Sequence, residues 1–267
     1  MTTDPNAPTT GELLTFPLDL AGESAGIALS FYRGDLGTTT KADGSLVTRA
    51  DQAIEAHLRR RIGQVFPDHA ILGEEQGLTA GTDEARWILD PIDGTHGFAR
   101  GMPVWATLIA CERNGEIEVG VASAPALGTR WWAGRGLGAW RSAHAVRGGR
   151  PERIAVSSIA RIQEAQVLYG EHRYCLDRWG EAFESLLVEA WRTRGFGDFW
   201  SHCLVAEGAA EAMLEGDIKP WDIAALQVIV EEAGGRLTDG TGARTLEGGY
   251  SVPSNGAIHD TLLRALD

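Results

Sequence analysis

Residues Trp87–Gly101 read WILDPIDGTHGFARG. Trp87, Ile88 and Leu89 have the composition of a buried strand, and the run passes straight into Asp90. Asp93 follows three residues later, and then come Gly94 and Thr95. Carboxylates at the end of a core strand are costly to desolvate unless something compensates them. The glycine and threonine leave a loop that a ligand can approach closely. Taken alone, Asp90-Pro91 and Asp93-Gly94 are also ordinary turn chemistry, so the surrounding chain has to decide between turn and site.

On the N-terminal side, residues 17–34 read as a first helix, with Leu18, Ala21 or Gly22, Ala25 and Leu29 on one face. Thr48-x-x-Asp51 predicts a capping box for a second helix, with Ile54, Leu58, Ile62 and Val65 as its apolar stripe. A short strand, Ala70 to Leu72, ends in Gly73, Glu74 and Glu75. On the C-terminal side, VWATLIACER and EIEVGVASAP flank Asn114-Gly115, a strong hairpin signal. TRWWAG and GLGAWR predict a second hairpin.

A polar, glycine-rich run, RSAHAVRGGRPER, predicts a boundary near residue 150. Beyond it strands and helices alternate: QVLYG, CLDRWGEAFESLLVEA, WRTRGFG, a helix from DFWSHCLVAEG, EAMLEG and WDIAALQVIVEEAGG. The last helix is apolar nearly all round and is expected to be buried. The fold class is therefore α/β: an α+β half with an antiparallel sheet over residues 13–150, and an α/β half over 151–267. Residues 1–12 are expected to be a disordered tail.

The chain has 267 residues and a formal net charge of −13, from 24 Lys+Arg against 37 Asp+Glu. Such a field disfavours nucleic acid and anionic membranes as partners. It also means that an anionic substrate needs a local reversal of sign, which a bound divalent cation supplies. No apolar run is long enough to span a bilayer, and the first residues lack the pattern of a signal peptide. Cys111, Cys175 and Cys203 match no zinc spacing. A cytoplasmic protein is expected.

The acids share one type of position. Glu74 and Glu75 follow AIL, Asp90 and Asp93 follow WIL, and Asp222 opens the buried helix. Ligand sites in α/β folds lie where core elements end. Carboxylates gathered in one cleft stay ionised together only around cations, and an all-oxygen ligand set favours Mg²⁺. Each acid also has a plain structural reading: a loop edge for Glu74-Glu75, a first-turn residue for Asp222, and a capping partner of Thr48 for Asp51.

Together, Gly73-Glu74-Glu75, Asp90-Pro91-Ile92-Asp93-Gly94-Thr95 and Trp221-Asp222-Ile223-Ala224-Ala225 resemble the motifs of the inositol monophosphatase family, in that family's order. The segment KADGSLVTRAD resembles the family's stretch before its second helix. The resemblance implies a layered αβαβα sandwich and a magnesium-dependent phosphomonoesterase, in which the first half binds metal and phosphate and the second completes the pocket. It implies that Glu74, Asp90 and the carbonyl of Ile92 hold one Mg²⁺, while Asp90, Asp93 and Asp222 hold a second. Thr95 and Asp51 then pair to orient and deprotonate the attacking water, with Glu74 counted in the catalytic set. Gly94 and Thr95 hold the phosphate through their backbone N–H groups, and Asp222 also lines the substrate site. Glu75, with Glu74, implies a third and weaker metal, and Lys41 and Asp43 border that region. The family also implies a homodimer.

Two departures from the inositol type point to the histidinol-phosphatase branch. Gly97 stands where the family commonly has Asn, two residues after the motif threonine. Gly197-Asp198-Phe199 stands where inositol-type members carry Gly-Ser-Ala or Gly-Thr-Ala. Asp198 can pair with the ammonium of histidinol phosphate, and it can also be a helix N-cap. The resemblance therefore implies hydrolysis of L-histidinol phosphate in histidine biosynthesis. The alternatives are an inositol-1-monophosphatase, or a broader fructose-1,6-bisphosphate or nucleotide phosphatase. His96 and His202 read as structural, with His96 near the entrance.

Overall fold

The computed structural model describes residues 8–41, 44, 46–82, 85–143 and 149–267. Helix α1 (Thr10–Phe31) starts well before the expected helix, on a capping box between Thr9 and Glu12. The tail expected through residue 12 is therefore too long, because Thr10–Glu12 form the first turn. Its buried face uses Leu13, Leu14, Leu20, Ala21, Ala25 and Ala28, whereas Leu29 is exposed. A small hairpin, β1 (Thr39–Thr40) and β2 (Leu46–Val47), leads to α2 (Arg49–Val65), whose capping box is the predicted Thr48–Asp51 pair. Ile54, Leu58 and Ile62 are buried as expected, but Val65 is exposed.

The first sheet contains β3 (Ala70–Gly73), β4 (Gly77–Thr79), β5 (Arg86–Asp93), β6 (Ala106–Arg113), β7 (Glu116–Ala124), β8 (Thr129–Gly134), β9 (Gly138–Ala143) and β10 (Glu152–Ile154). A short helix, α3 (Thr95–Ala99), follows β5 directly. The strand order is β10-β9-β8-β7-β6-β5-β3-β4, and β3 runs parallel to β5 while the other pairs are antiparallel. The predicted hairpins form, and Asn114 and Gly115 both take positive φ, as a two-residue turn of this kind requires. β10 carries the sheet past the boundary expected at residue 150.

The second half supplies β11 (Gln166–Tyr169), α4 (His172–Glu189), β12 (Arg192–Arg194), α5 (Asp198–Ala206), β13 (Ala212–Leu214), α6 (Pro220–Glu232), β14 (Arg236–Thr238), β15 (Val252–Ser254) and α7 (His259–Leu266). Gly180 interrupts α4 with φ 55°. The second sheet has the order β12-β11-β13-β15-β14, parallel around β11 and antiparallel at β15.

Helices α1 and α2 cover one face of the first sheet, and α5 and α6 fill the space between the two sheets. Helices α4 and α7 pack on the far face of the second sheet. These are the αβαβα layers that the resemblance implied. Ile223 to Val230 of α6 are all buried, as an all-round apolar helix between two sheets must be.

Candidate active site

Strand β5 delivers two carboxylates three residues apart, which in a regular strand point to opposite faces. The pairing with β6 corrects this. Asp90 lies opposite Leu108 and Asp93 opposite Ala106, so three steps on β5 match two on β6. That is a bulge of one residue, and it returns Asp93 to the side of Asp90. Asp90-Pro91 is thus not a turn but part of a bulged continuation of the strand. Thr107 pins the bulge by donating to the carbonyl of Pro91 at 2.8 Å.

Gly94 then turns the chain in the left-handed region, φ 83°, a conformation that favours glycine. The hydroxyl of Thr95 donates to the carbonyl of Ile92 at 2.8 Å.

Asp222 reaches the same place from the first turn of α6, where its Oδ2 accepts the backbone N–H of Lys219 at 2.6 Å. One oxygen each of Asp90, Asp93 and Asp222 lie within 4.8 Å of one another. Burial, then the charge of Glu74, pushes Asp90 well above the usual carboxylate range. Burial, then the charge of Asp198, does the same to Asp93, and burial raises Asp222 to about 7. Acids held this way are destabilised as bare anions and stabilised by a cation among them.

Asp51 stands at the start of α2. Its Oδ2 accepts from both the N–H (2.7 Å) and the hydroxyl (2.6 Å) of Thr48, while its Oδ1 is buried without a partner. Thr95 and Asp51 therefore do not pair directly: each holds a different neighbour. Burial raises Asp51 to about 6.

Lys41 bridges Glu74 (2.8 Å) and Glu75 (2.7 Å). Burial raises Glu75 to about 7 although Lys41 opposes the shift. Asp43 lies outside the described residues.

Sequence reasoning missed Glu55, a fully buried acid one turn beyond Asp51. It accepts the N–H groups of Glu75 (2.7 Å) and Gln76 (3.0 Å) and so holds the loop that carries Glu74. A side chain at Gly73 would press on the Glu55 carboxylate and disturb this anchor.

Beside the acid cluster opens a cleft of about 620 Å³, whose lining includes Asp93, Asp198, His202, Glu215 and Asp222, with His96 on its wall. Asp198 is not the side-chain cap of α5. That task falls to Asp93, whose Oδ2 accepts the N–H of Phe199 at 2.7 Å. Asp198 opens onto the cleft, yet the protein packed around it raises its pKa to about 6. Glu215, also missed, is buried at the end of β13 and is pushed well above the carboxylate range by burial and by Asp198 and Asp222. Its signal was present: Glu215 follows the apolar AML, as Glu74 follows AIL and Asp90 follows WIL. Gly97 has a packing reason of its own, since a Cβ there would meet the carbonyl of Val104 at 3.2 Å.

A model of the inositol monophosphatase family matches residues 12–267. A histidinol-phosphatase of Mycobacterium tuberculosis is 45% identical over 87% of this chain and 89% of its own length. A histidinol-phosphatase of Streptomyces coelicolor is 40% identical over 87% of this chain and 88% of its own. Among solved structures, an IMPase of Thermotoga maritima superimposes with a TM-score of 0.83 at 31% identity, covering 95% of this chain and 96% of that one.

Proposed function

This chain belongs to the inositol monophosphatase family, and on that premise we propose that it is a Mg²⁺-dependent phosphomonoesterase releasing phosphate from L-histidinol phosphate. The observation that carries the substrate is the pair Asp198 and Glu215, two carboxylates in the cleft beyond the Asp90–Asp93–Asp222 cluster. A cationic amino alcohol gains ion pairs from such a pair, whereas a neutral polyol can offer it only hydroxyl donors. The names of the relatives from M. tuberculosis and S. coelicolor support the same reading.

The donor set fits the ion. It is all oxygen, and Asp90 keeps a buried Oδ1 without a partner, an atom that a cation would satisfy. Glu74, Asp90 and the Ile92 carbonyl would hold one Mg²⁺, and Asp90, Asp93 and Asp222 a second; a third between Glu74 and Glu75 would compete with Lys41. When bound, Mg²⁺ acidifies water and neutralises charge on the phosphate.

The chain's own residues do the rest. Thr48 anchors Asp51 through Oδ2 and leaves Oδ1 to accept a proton from the attacking water. Thr95, tied to the Ile92 carbonyl, helps to orient that water. The N–H groups of Gly94 and Thr95 would hold the phosphate. We place the enzyme in the cytoplasm, where its three buried cysteines suit a reducing milieu. No helix among the described residues is long and apolar enough to cross a membrane. Exposed Val188, Trp191 and Phe196 offer apolar area for a homodimer.

The test is phosphate release, with and without Mg²⁺, from L-histidinol phosphate, inositol 1-phosphate, fructose 1,6-bisphosphate and 3′-phosphoadenosine 5′-phosphate. The expected result is Mg²⁺-dependent preference for histidinol phosphate, with KM raised about tenfold or more by Asp198→Ala. Preference for inositol 1-phosphate, with indifference to that substitution, would overturn the substrate assignment.

A further inference from the structure

Asp198 has a positive φ of 52°, a region uncommon for non-glycine residues that Asp enters more readily than most. The peptide unit joining Asp198 to Phe199 is gripped at both ends. Its N–H, on Phe199, donates to Asp93 Oδ2 at 2.7 Å, and its carbonyl oxygen, on Asp198, lies 3.2 Å from Nδ1 of His202. His202 stands one turn along α5 and is buried. Its other nitrogen, Nε2, lies 3.4 Å from the hydroxyl of Ser251.

These contacts determine the ring's protonation. A carbonyl can only accept, so Nδ1 carries the hydrogen and Nε2 accepts from Ser251. Burial lowers the imidazole pKa to about 4, which keeps the ring neutral with one donor and one acceptor. Ser251 exchanges two main-chain hydrogen bonds with Glu215, at 3.0 and 2.9 Å. The imidazole is therefore the link in an unbroken path from Asp198 to Glu215, the two carboxylates of the cleft.

We infer that His202 is a positioning residue for substrate choice: with Ser251 it fixes where Asp198 and Glu215 stand relative to each other, and hence how well a cationic alcohol group is held. This rests on the proposed substrate. Both ring nitrogens are committed to the fold, so His202 handles no proton of the reaction. Its loss should weaken recognition of the ammonium-bearing group more than the chemistry at phosphorus.

The experiment compares L-histidinol phosphate with glycerol 2-phosphate, an ester that carries no cation, in the Mg²⁺-loaded full chain. His202→Leu removes both contacts, Ser251→Ala removes the far one with little change in volume, and His202→Asn keeps a donor near the Asp198 carbonyl. His202→Leu is expected to lower the preference for histidinol phosphate about tenfold, through KM, with kcat changed less than about threefold. Ser251→Ala should move in the same direction by a smaller factor, and His202→Asn should recover much of the loss. Equal losses on both esters, or unchanged preference in His202→Leu and Ser251→Ala, would overturn the inference. A wild-type chain with no preference for histidinol phosphate would overturn the substrate reading, and the inference with it.

Discussion

Asp90 is the residue on which the site converges. It is buried, it keeps Oδ1 without a hydrogen-bond partner, and it feels the charges of Glu74, Asp93, Asp222 and Asp51. Asp90→Asn leaves the shape nearly unchanged but replaces an anion with a neutral amide in the proposed ligand set. Turnover is expected to fall about 10³-fold or more, corresponding to several kcal/mol of lost charge stabilisation. A kinetic assay at saturating Mg²⁺ checks this, and turnover within tenfold of wild type would count against the two-metal arrangement. The acids at positions 51, 74, 90, 93 and 222 were legible in the sequence because each sits beside a local signal, an apolar strand or a helix start. Glu215 carried the same signal in AMLEG and was passed over, while Glu55 carried none, since a helical acid facing a distant loop looks like any surface glutamate.

At the scale of elements, the decisive contact is α6 against the first sheet. Gly120 of β7 lies so close to α6 that a Cβ would stand 2.5 Å from the carbonyl of Ala225. Backbone cannot retreat as a flexible side chain can, so Gly120→Ala must push α6, and Asp222 with it, away from β5. A loss of about 2 kcal/mol or more is expected, with a drop in Tm of several degrees and weaker Mg²⁺ binding. Thermal melts and a Mg²⁺ titration of the same variant check both; loss of stability without loss of Mg²⁺ affinity would mean that Asp222 is placed independently of this contact. The hairpins and the capping boxes were predictable because their causes lie within a few residues. The bulge between Asp90 and Asp93 was not, because it is defined by pairing with β6, and the start of α1 was missed because Pro17 looked like a first turn when it lies inside the helix.

For the whole molecule, the clustered acids make stability depend on pH and metal. Burial raises Asp51 to about 6 and Asp222 and Glu75 to about 7, against about 4 in an unfolded chain. The folded state therefore binds more protons than the unfolded one in this interval. The stability contributed by these acids is full below about pH 4 and is lost as pH rises through about 6 to 7. Mg²⁺ requires the deprotonated acids, so the increase in Tm on adding it should grow between about pH 5.5 and about pH 8. Melting curves with Mg²⁺ and with EDTA across that range check the prediction, and a metal shift independent of pH would refute it. By itself the sequence determined five of the helices, the two long hairpins and the kind of acid at several elements' ends, because periodicity, capping and turn chemistry act over a few residues; the short strands β4, β14 and β15 and helix α7 were not read from it. Only the tertiary structure decided which acids meet, that Asp93 caps α5 and leaves Asp198 to the cleft, and that His202 and Ser251 connect Asp198 to Glu215. The long-range ones, Asp93 to Phe199 and His202 to Ser251, join residues 106 and 49 positions apart, and only the packing of α5 and α6 between two sheets brings them together.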